Sequence, residues 1–278
     1  MNSSNQTYKE LSIPYFKDVF EIIDEIMVKH KIPYYLIGAS AVALELLKSG
    51  IKPSRGTKDI DFAVMISSLN EFDELSNTLV KRGFNKVKAP WTFYSDNYNI
   101  AVDILPFGEI EEHDTIQFNK RYSDLHILGL KEVLENPEKV QIEEKIVDIP
   151  PLPGMIILKL VSWSDRPEER ENDLKDIILI IGHYFDFNYD EIVESHYDTF
   201  PEEGFDQLII AAEVLGRKSK IYLNKSESLA NRILSILEKN LTSESESKIA
   251  KEWAIIKKID IEYSMKILKA FQKGIMNK

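Results

Sequence analysis

The chain has 278 residues, of which 44% are hydrophobic and 29% charged, and its 46 acidic against 35 basic residues give a net charge of −11. That length and apolar content support one large domain or two ordinary ones. The acidic balance excludes broad, salt-driven coating of nucleic acid, and the absence of cysteine excludes disulfides and thiolate metal sites. The first residues, MNSSNQTYKELSIPY, show no basic stretch followed by an apolar one. The longest apolar runs, such as MIILKLVSW, are too short to span a bilayer. The expectation is a soluble, cytoplasmic protein with no membrane partner.

Residues 16 to 28, FKDVFEIIDEIMV, repeat apolar side chains at 16, 19, 20, 22, 23, 26 and 27, which predicts a helix with one buried face. Lys31-Ile32-Pro33 breaks it, and Tyr34 to Ile37 reads as a short strand. A turn at Gly38-Ala39-Ser40 leads into a helix from Ala41 to Lys48, with Gly50 just beyond its end. The loop Ile51 to Lys58 feeds a strand from Ile60 to Ile66. An amphipathic helix follows, apolar at 69, 72, 75, 79 and 80 and ended near Gly83. Strands are expected near 84–88, 91–95 and 99–106, with Asp96-Asn97 as a hairpin turn. Residues 108 to 126 carry no clear pattern. A short helix over 130–135 and strands near 139–143 and 145–149 complete this half.

Pro150-Pro151-Leu152-Pro153-Gly154 is the clearest punctuation in the chain. Beyond it the pattern is helical, over 155–163, 166–185, 190–197, 204–215, 226–239, 244–258 and 260–275. Asp165 and Glu168 have capping-box spacing and Pro167 suits a first turn, so a helix start is expected there. The whole reads as an α+β fold: a mixed sheet flanked by helices over 1–150, then a helical domain over 151–278.

Asp59 and Asp61 stand two residues apart in the strand KDIDFAVM, so strand geometry points both to one face. Two carboxylates aimed at one spot repel unless a cation lies between them, and Mg²⁺ is the usual candidate. Asp103, a lone charge within NIAVDILP, is the natural third carboxylate for a site with two metal ions. Gly38 and Ser40, at a strand-to-helix turn, are placed to meet a phosphate with backbone N–H groups and a hydroxyl. Arg55 and Thr57 either contact a triphosphate or fix the loop. Lys159 interrupts the apolar helix MIILKLVSW, where a lysine either snorkels to the surface or joins a site. Arg166 falls near the same helix junction, and Asp173 and Asp176 either orient these cations or are surface charges. Arg217, Lys218 and Lys220 read as solvated loop charges. Trp91, Phe93 and Tyr94 read as sheet packing rather than a base-stacking platform. The five histidines show no metal-ligand spacing.

The succession of a strand, Gly38-Ala39-Ser40, a helix and then Arg55-Gly56-Thr57-Lys58-Asp59-Ile60-Asp61-Phe62 resembles the DNA polymerase β-type nucleotidyltransferase superfamily, and within it the AbiEii/AbiGii-type bacterial enzymes. The block from Leu158-Lys159-Leu160 through Asp165-Arg166-Pro167 to Lys175-Asp176-Ile177 is similar to that family's helical motif. The resemblance implies transfer of a nucleoside monophosphate from an NTP to an acceptor hydroxyl, with two Mg²⁺ ions held by Asp59, Asp61 and Asp103. It implies Lys159 as the basic site residue with Asp173 or Asp176 as its acidic companion. With the residue readings above, the expected nucleotide contacts are Gly38, Ser40, Arg55, Thr57, Arg166 and Asp176. The resemblance further implies a toxin acting on an acceptor such as tRNA, with an antitoxin protein as partner. A transferase for small antibiotics and a non-catalytic nucleotide-binding module are the alternatives. Ala39 departs from the superfamily's usual Gly-Gly or Gly-Ser turn, and favours the last of these.

Overall fold

The computed structural model describes residues 8–53, 56–57, 59–118 and 124–277. It divides into two compact units, Met1–Pro151 and Leu152–Lys278. In the first, α1 (Phe16–His30) precedes β1 (Tyr34–Ile37), α2 (Gly38–Leu47), β2 (Asp59–Met65) and α3 (Leu69–Lys81). Next come β3 (Asn85–Lys86), β4 (Thr92–Ser95) and β5 (Ile100–Phe107). The unit ends with β6 (Thr115–Gln117), β7 (Asp124–His126), α4 (Leu130–Leu134), β8 (Glu138–Ile142) and β9 (Lys145–Ile149). The fold is α+β, with a mixed sheet in this unit.

Five strands form that sheet in the order β1-β2-β5-β4-β3. β2 and β5 run parallel at its centre, and the other pairings are antiparallel. Central strands buried on both faces read as nearly continuous apolar runs, which is why an aspartate within them stands out. One face is covered by α1, which buries Phe16, Val19, Phe20, Ile23, Ile26 and Met27. The Phe20 ring lies 6.1 Å from Phe62 of β2. Full burial of such side chains contributes about 1.5–3 kcal/mol each. α3 starts on a local cap: the Ser68 hydroxyl accepts the Glu71 N–H, and the Glu71 carboxylate accepts the Ser67 N–H at 2.8 Å. β6 and β7 pair as a small hairpin in the stretch where the sequence shows no pattern. Three residues per strand are too few for a two-residue period to register.

The second unit contains only helices among its described residues. They are α5 (Leu152–Asp165), α6 (Glu171–Phe187), α7 (Tyr189–Ser195), α8 (Gln207–Leu223), α9 (Glu227–Leu241), α10 (Lys248–Lys257) and α11 (Ile261–Met276), with a short 3₁₀ turn at Tyr197–Thr199. α8 and α11 cross where Gly216 and Gly274 meet. A Cβ on Gly216 would lie 2.1 Å from the Phe271 carbonyl oxygen, and one on Gly274 would lie 2.0 Å from that of Glu213. Side chains of Asp206, Ser226 and Ser247 cap α8, α9 and α10. The helix expected to start at Asp165 does not. Asp165 closes α5, and α6 begins only at Glu171. Proline disfavours helical backbone in the residue before it, so Arg166 leaves the helix, and the N–H groups of Glu169 and Arg170 turn back to its carbonyl. No helix among the described residues is long and apolar enough to cross a membrane.

Candidate active site

The sheet register assembles the candidate site in one row. Ile37 at the end of β1 is the partner of Asp61 on β2, Asp61 is the partner of Asp103 on β5, and Asp103 is the partner of Thr92 on β4. Register partners share a face, so both carboxylates and the threonine hydroxyl stand on the same side of the sheet. Both aspartates are half-buried. The Thr92 hydroxyl donates to Asp103 Oδ1 at 2.6 Å. Thr92 is not visible as a site residue in the sequence, because its role depends on cross-strand register.

β1 ends at Ile37 and α2 follows at once, so Gly38-Ala39-Ser40 is the junction at which the strand turns into the helix. Gly38 has a left-handed backbone, φ +67°, and a Cβ there would lie 2.0 Å from Asp61 Oδ2. Only glycine permits both the conformation and the approach. The positive end of the α2 dipole therefore meets the Asp61 carboxylate at close range. Ser40 is 1% exposed and its hydroxyl has no hydrogen-bond partner among the described residues. Ala39 directs no polar side chain to this turn. Further along α2, Glu45 is buried. Burial first, and Glu138 second, push its carboxyl up to about 7 against the pull of the Lys48 ammonium. That ammonium lies 2.6 Å from Glu45 and 3.1 Å from Glu138.

Asp59 lies two residues before Asp61, at the exposed start of β2, beside Ala101 of β5. Its carboxylate takes the Thr57 hydroxyl. Thr57 thus fixes the entry to β2. Arg55 and Lys58 lie outside the described residues. Among the described residues no group of three or more His, Asp or Glu side chains is gathered into a metal cage. What the register does place together is the pair Asp61 and Asp103. Mg²⁺ commonly takes one or two protein carboxylates and completes its shell with water and phosphate oxygens, so this hard oxygen pair fits it in kind. Trp91 packs on Phe118, and Phe93 is fully buried in the sheet, consistent with packing roles.

In the helical unit Lys159 is turned inward. Its ammonium donates to Asp176 Oδ2 at 2.7 Å and Asp173 Oδ1 at 3.1 Å, and all three residues are buried. Burial pulls the lysine down, but the two carboxylates outweigh it, so its pKa stands above the ordinary value. Arg166 is exposed in the turn after α5 and pairs with Glu169 at 3.3 Å. The pairing of Lys159 and Arg166 as two cations at one junction is therefore corrected: one is locked inside and the other sits on a solvated turn. Arg217, Lys218 and Lys220 are not loop charges either. They lie on α8, where Arg217 forks onto Asp198 with two bonds of 2.7 Å, Lys218 meets Glu191 at 2.6 Å, and Lys220 donates to the Asn277 carbonyl.

No family model and no curated protein matches the chain. Solved structures do match. The antibiotic-resistance factor ANT(2'')-Ia is 14% identical with a TM-score of 0.40, over 65% of this chain and 96% of that one. An antigenic nucleotidyltransferase-like protein from Paracoccidioides brasiliensis is 17% identical with a TM-score of 0.40, over 82% and 94%. The cyclic dinucleotide synthase CdnE from Elizabethkingia meningoseptica, solved with GTP and Apcpp, is 9% identical with a TM-score of 0.30, over 92% and 89%.

Proposed function

We propose that the chain is a Mg²⁺- and NTP-dependent nucleotidyltransferase whose site is the Asp61–Asp103 row at the head of α2. The observation that carries this reading is the meeting of three features: two carboxylates in register on parallel strands, a helix start pressed onto one of them through Gly38, and a buried Ser40 hydroxyl with no partner among the described residues. A helix start with a spare hydroxyl suits phosphate oxygens, and a carboxylate pair beside it suits the cation that accompanies them.

Asp61 and Asp103 would hold Mg²⁺, with Asp59 available at the rim for the second ion. When bound, the metal supplies charge neutralisation of the triphosphate. The chain's own groups do the rest. The first-turn N–H groups of α2 and the Ser40 hydroxyl bind the phosphates, and Thr57 borders them; Arg55, outside the described residues, is a nucleotide contact on the sequence reading alone. Asp103, oriented by Thr92, takes the proton of the acceptor hydroxyl. The acceptor oxygen then bonds to the α-phosphorus as the bond to the bridging oxygen breaks, and pyrophosphate leaves. On the AbiEii/AbiGii resemblance the acceptor is tRNA, the setting is a toxin with an antitoxin partner, and Lys159, Arg166 and Asp176 form the helical motif.

The test is incubation with NTPs labelled at the α-phosphate, Mg²⁺, and either total RNA or a panel of hydroxylated antibiotics. Label joined covalently to an acceptor, and lost in Asp61→Asn and Asp103→Asn, supports the reading; the labelled arm identifies the acceptor class. No transfer to any acceptor, or transfer unchanged in Asp61→Asn, overturns it.

A further inference from the structure

The helical unit carries a surface that its own packing does not account for. The segment from Asp186 to Asp206 contains eight carboxylates and no lysine or arginine. Woven through it is an aromatic cluster. Phe185, buried at the end of α6, touches Tyr189 at 5.8 Å, Phe200 at 6.2 Å and Phe205 at 5.5 Å between ring centres. Tyr197 stacks on Phe200 at 5.3 Å with the rings 20° apart. The outer members stay in solvent: Tyr197 is 71% exposed, Phe205 60% and Tyr189 54%. Single exposed aromatics are ordinary, but a contiguous group of them is the usual mark of an interaction site. Gly204, with φ +76°, turns the chain immediately before Phe205.

The charges around the cluster fall into two sets. Three are satisfied locally: Glu191 by Lys218, Asp198 by Arg217, and Asp206 by the head of α8 and the Tyr263 hydroxyl. Asp186, Asp190, Glu194, Glu202 and Glu203 are exposed and have no ion pair or hydrogen bond among the described residues. Exposed rings beside unneutralised carboxylates favour a cation that also brings apolar surface. Such a cation gains from the carboxylates by charge and from the ring faces by cation–π contact. Nucleic acid is repelled by the same carboxylates. A second copy docking patch to patch would set like charges against each other.

We infer that this acidic aromatic face of the helical unit is a docking site for a basic segment of a partner protein, one in which arginine or lysine alternates with apolar side chains. Tyr197 and Phe205 are the anchors, and Glu202 and Glu203 read the charge. The site is independent of the nucleotidyl-transfer reading.

The probe is a fluorescein-labelled peptide of alternating arginine and leucine, titrated with the full chain and followed by anisotropy. A glutamate–leucine peptide and spermine serve as controls. The arginine–leucine peptide binds, and affinity falls with added salt. The exposed double variant Tyr197→Ser/Phe205→Ser loses about tenfold or more in affinity, as expected for anchor residues, with an unchanged thermal midpoint. Glu202→Gln/Glu203→Gln loses about threefold to tenfold, in the range of rim charges. Ile255→Ser, at an exposed apolar residue on another helix, changes nothing. Equal binding of the acidic peptide, full displacement by stoichiometric spermine, or an equal loss in Ile255→Ser overturns the inference. So does self-association of the chain that Phe205→Ser abolishes while peptide binding persists.

Discussion

Two pairs of aspartates in this molecule are handled in opposite ways. Asp173 and Asp176 are buried in the helical unit and share the Lys159 ammonium, so their counter-charge is built into the fold. Asp61 and Asp103 are half-buried on the sheet, beside a threonine hydroxyl and the start of a helix. These neighbours orient and soften their charge, and both carboxylates stay part-exposed on one face of the sheet. The difference separates a structural ion cluster from a site suited to an exchangeable cation. A buried pair is costly to break from one side only, whereas a half-open pair can be altered with little effect on stability.

Four changes sharpen or break that contrast. The largest effect is expected from Lys159→Met, which leaves two carboxylates buried without their cation. It should lower unfolding stability by about 3–5 kcal/mol in a denaturant titration. Adding Asp173→Asn and Asp176→Asn should restore much of that loss. A Lys159→Met chain as stable as the parent would break the contrast. Asp61→Asn should do the reverse, costing on the order of 100-fold or more in label transfer with a stability change below about 1 kcal/mol.

Gly38→Ala comes next. The new methyl would meet Asp61 Oδ2 and force a left-handed backbone onto alanine. A loss of about 1–3 kcal/mol is expected, together with weaker nucleotide binding, read by thermal unfolding with and without Mg²⁺–NTP. The smallest effect belongs to Glu45→Gln. Folding raises this carboxyl from 4.5 to about 7. Its stabilising contribution is therefore fully present below about pH 4.5 and is lost as pH rises through 7. Glutamine at this position should flatten the melting temperature between pH 5 and 8, gaining about 1–2 kcal/mol over the parent at the alkaline end.

Much of the fold is legible in the sequence where period and length are long enough to speak. The helical spacing of Phe16 to Val28 and the break at Lys31-Ile32-Pro33 give α1, and the apolar run around two aspartates gives β2. Helix ends are less legible, since they depend on which side chain caps. Asp165 and Glu168 have the right spacing, yet the residue before Pro167 leaves the helix and α6 starts later. For the candidate site, sequence spacing shows that Asp59 and Asp61 share a face, and Asp103 stands out as a charge in an apolar strand. That Asp61 rather than Asp59 lies opposite Asp103, and that Thr92 completes the row, follows from cross-strand register, which no local pattern encodes. Lys159 and its candidate partners Asp173 and Asp176 are legible too, but the choice between an ion cluster and surface charges follows from the packing of α5 on α6, which buries all three.

The most direct test of the Asp61–Asp103 row is calorimetric binding of a non-hydrolysable NTP analogue with and without Mg²⁺, to the parent chain, Asp61→Asn and Asp103→Asn. The account predicts that the parent binds the nucleotide far more tightly with Mg²⁺, and that either variant loses this Mg²⁺-dependent gain while keeping its melting temperature. Equal Mg²⁺-dependent binding by all three chains would contradict it.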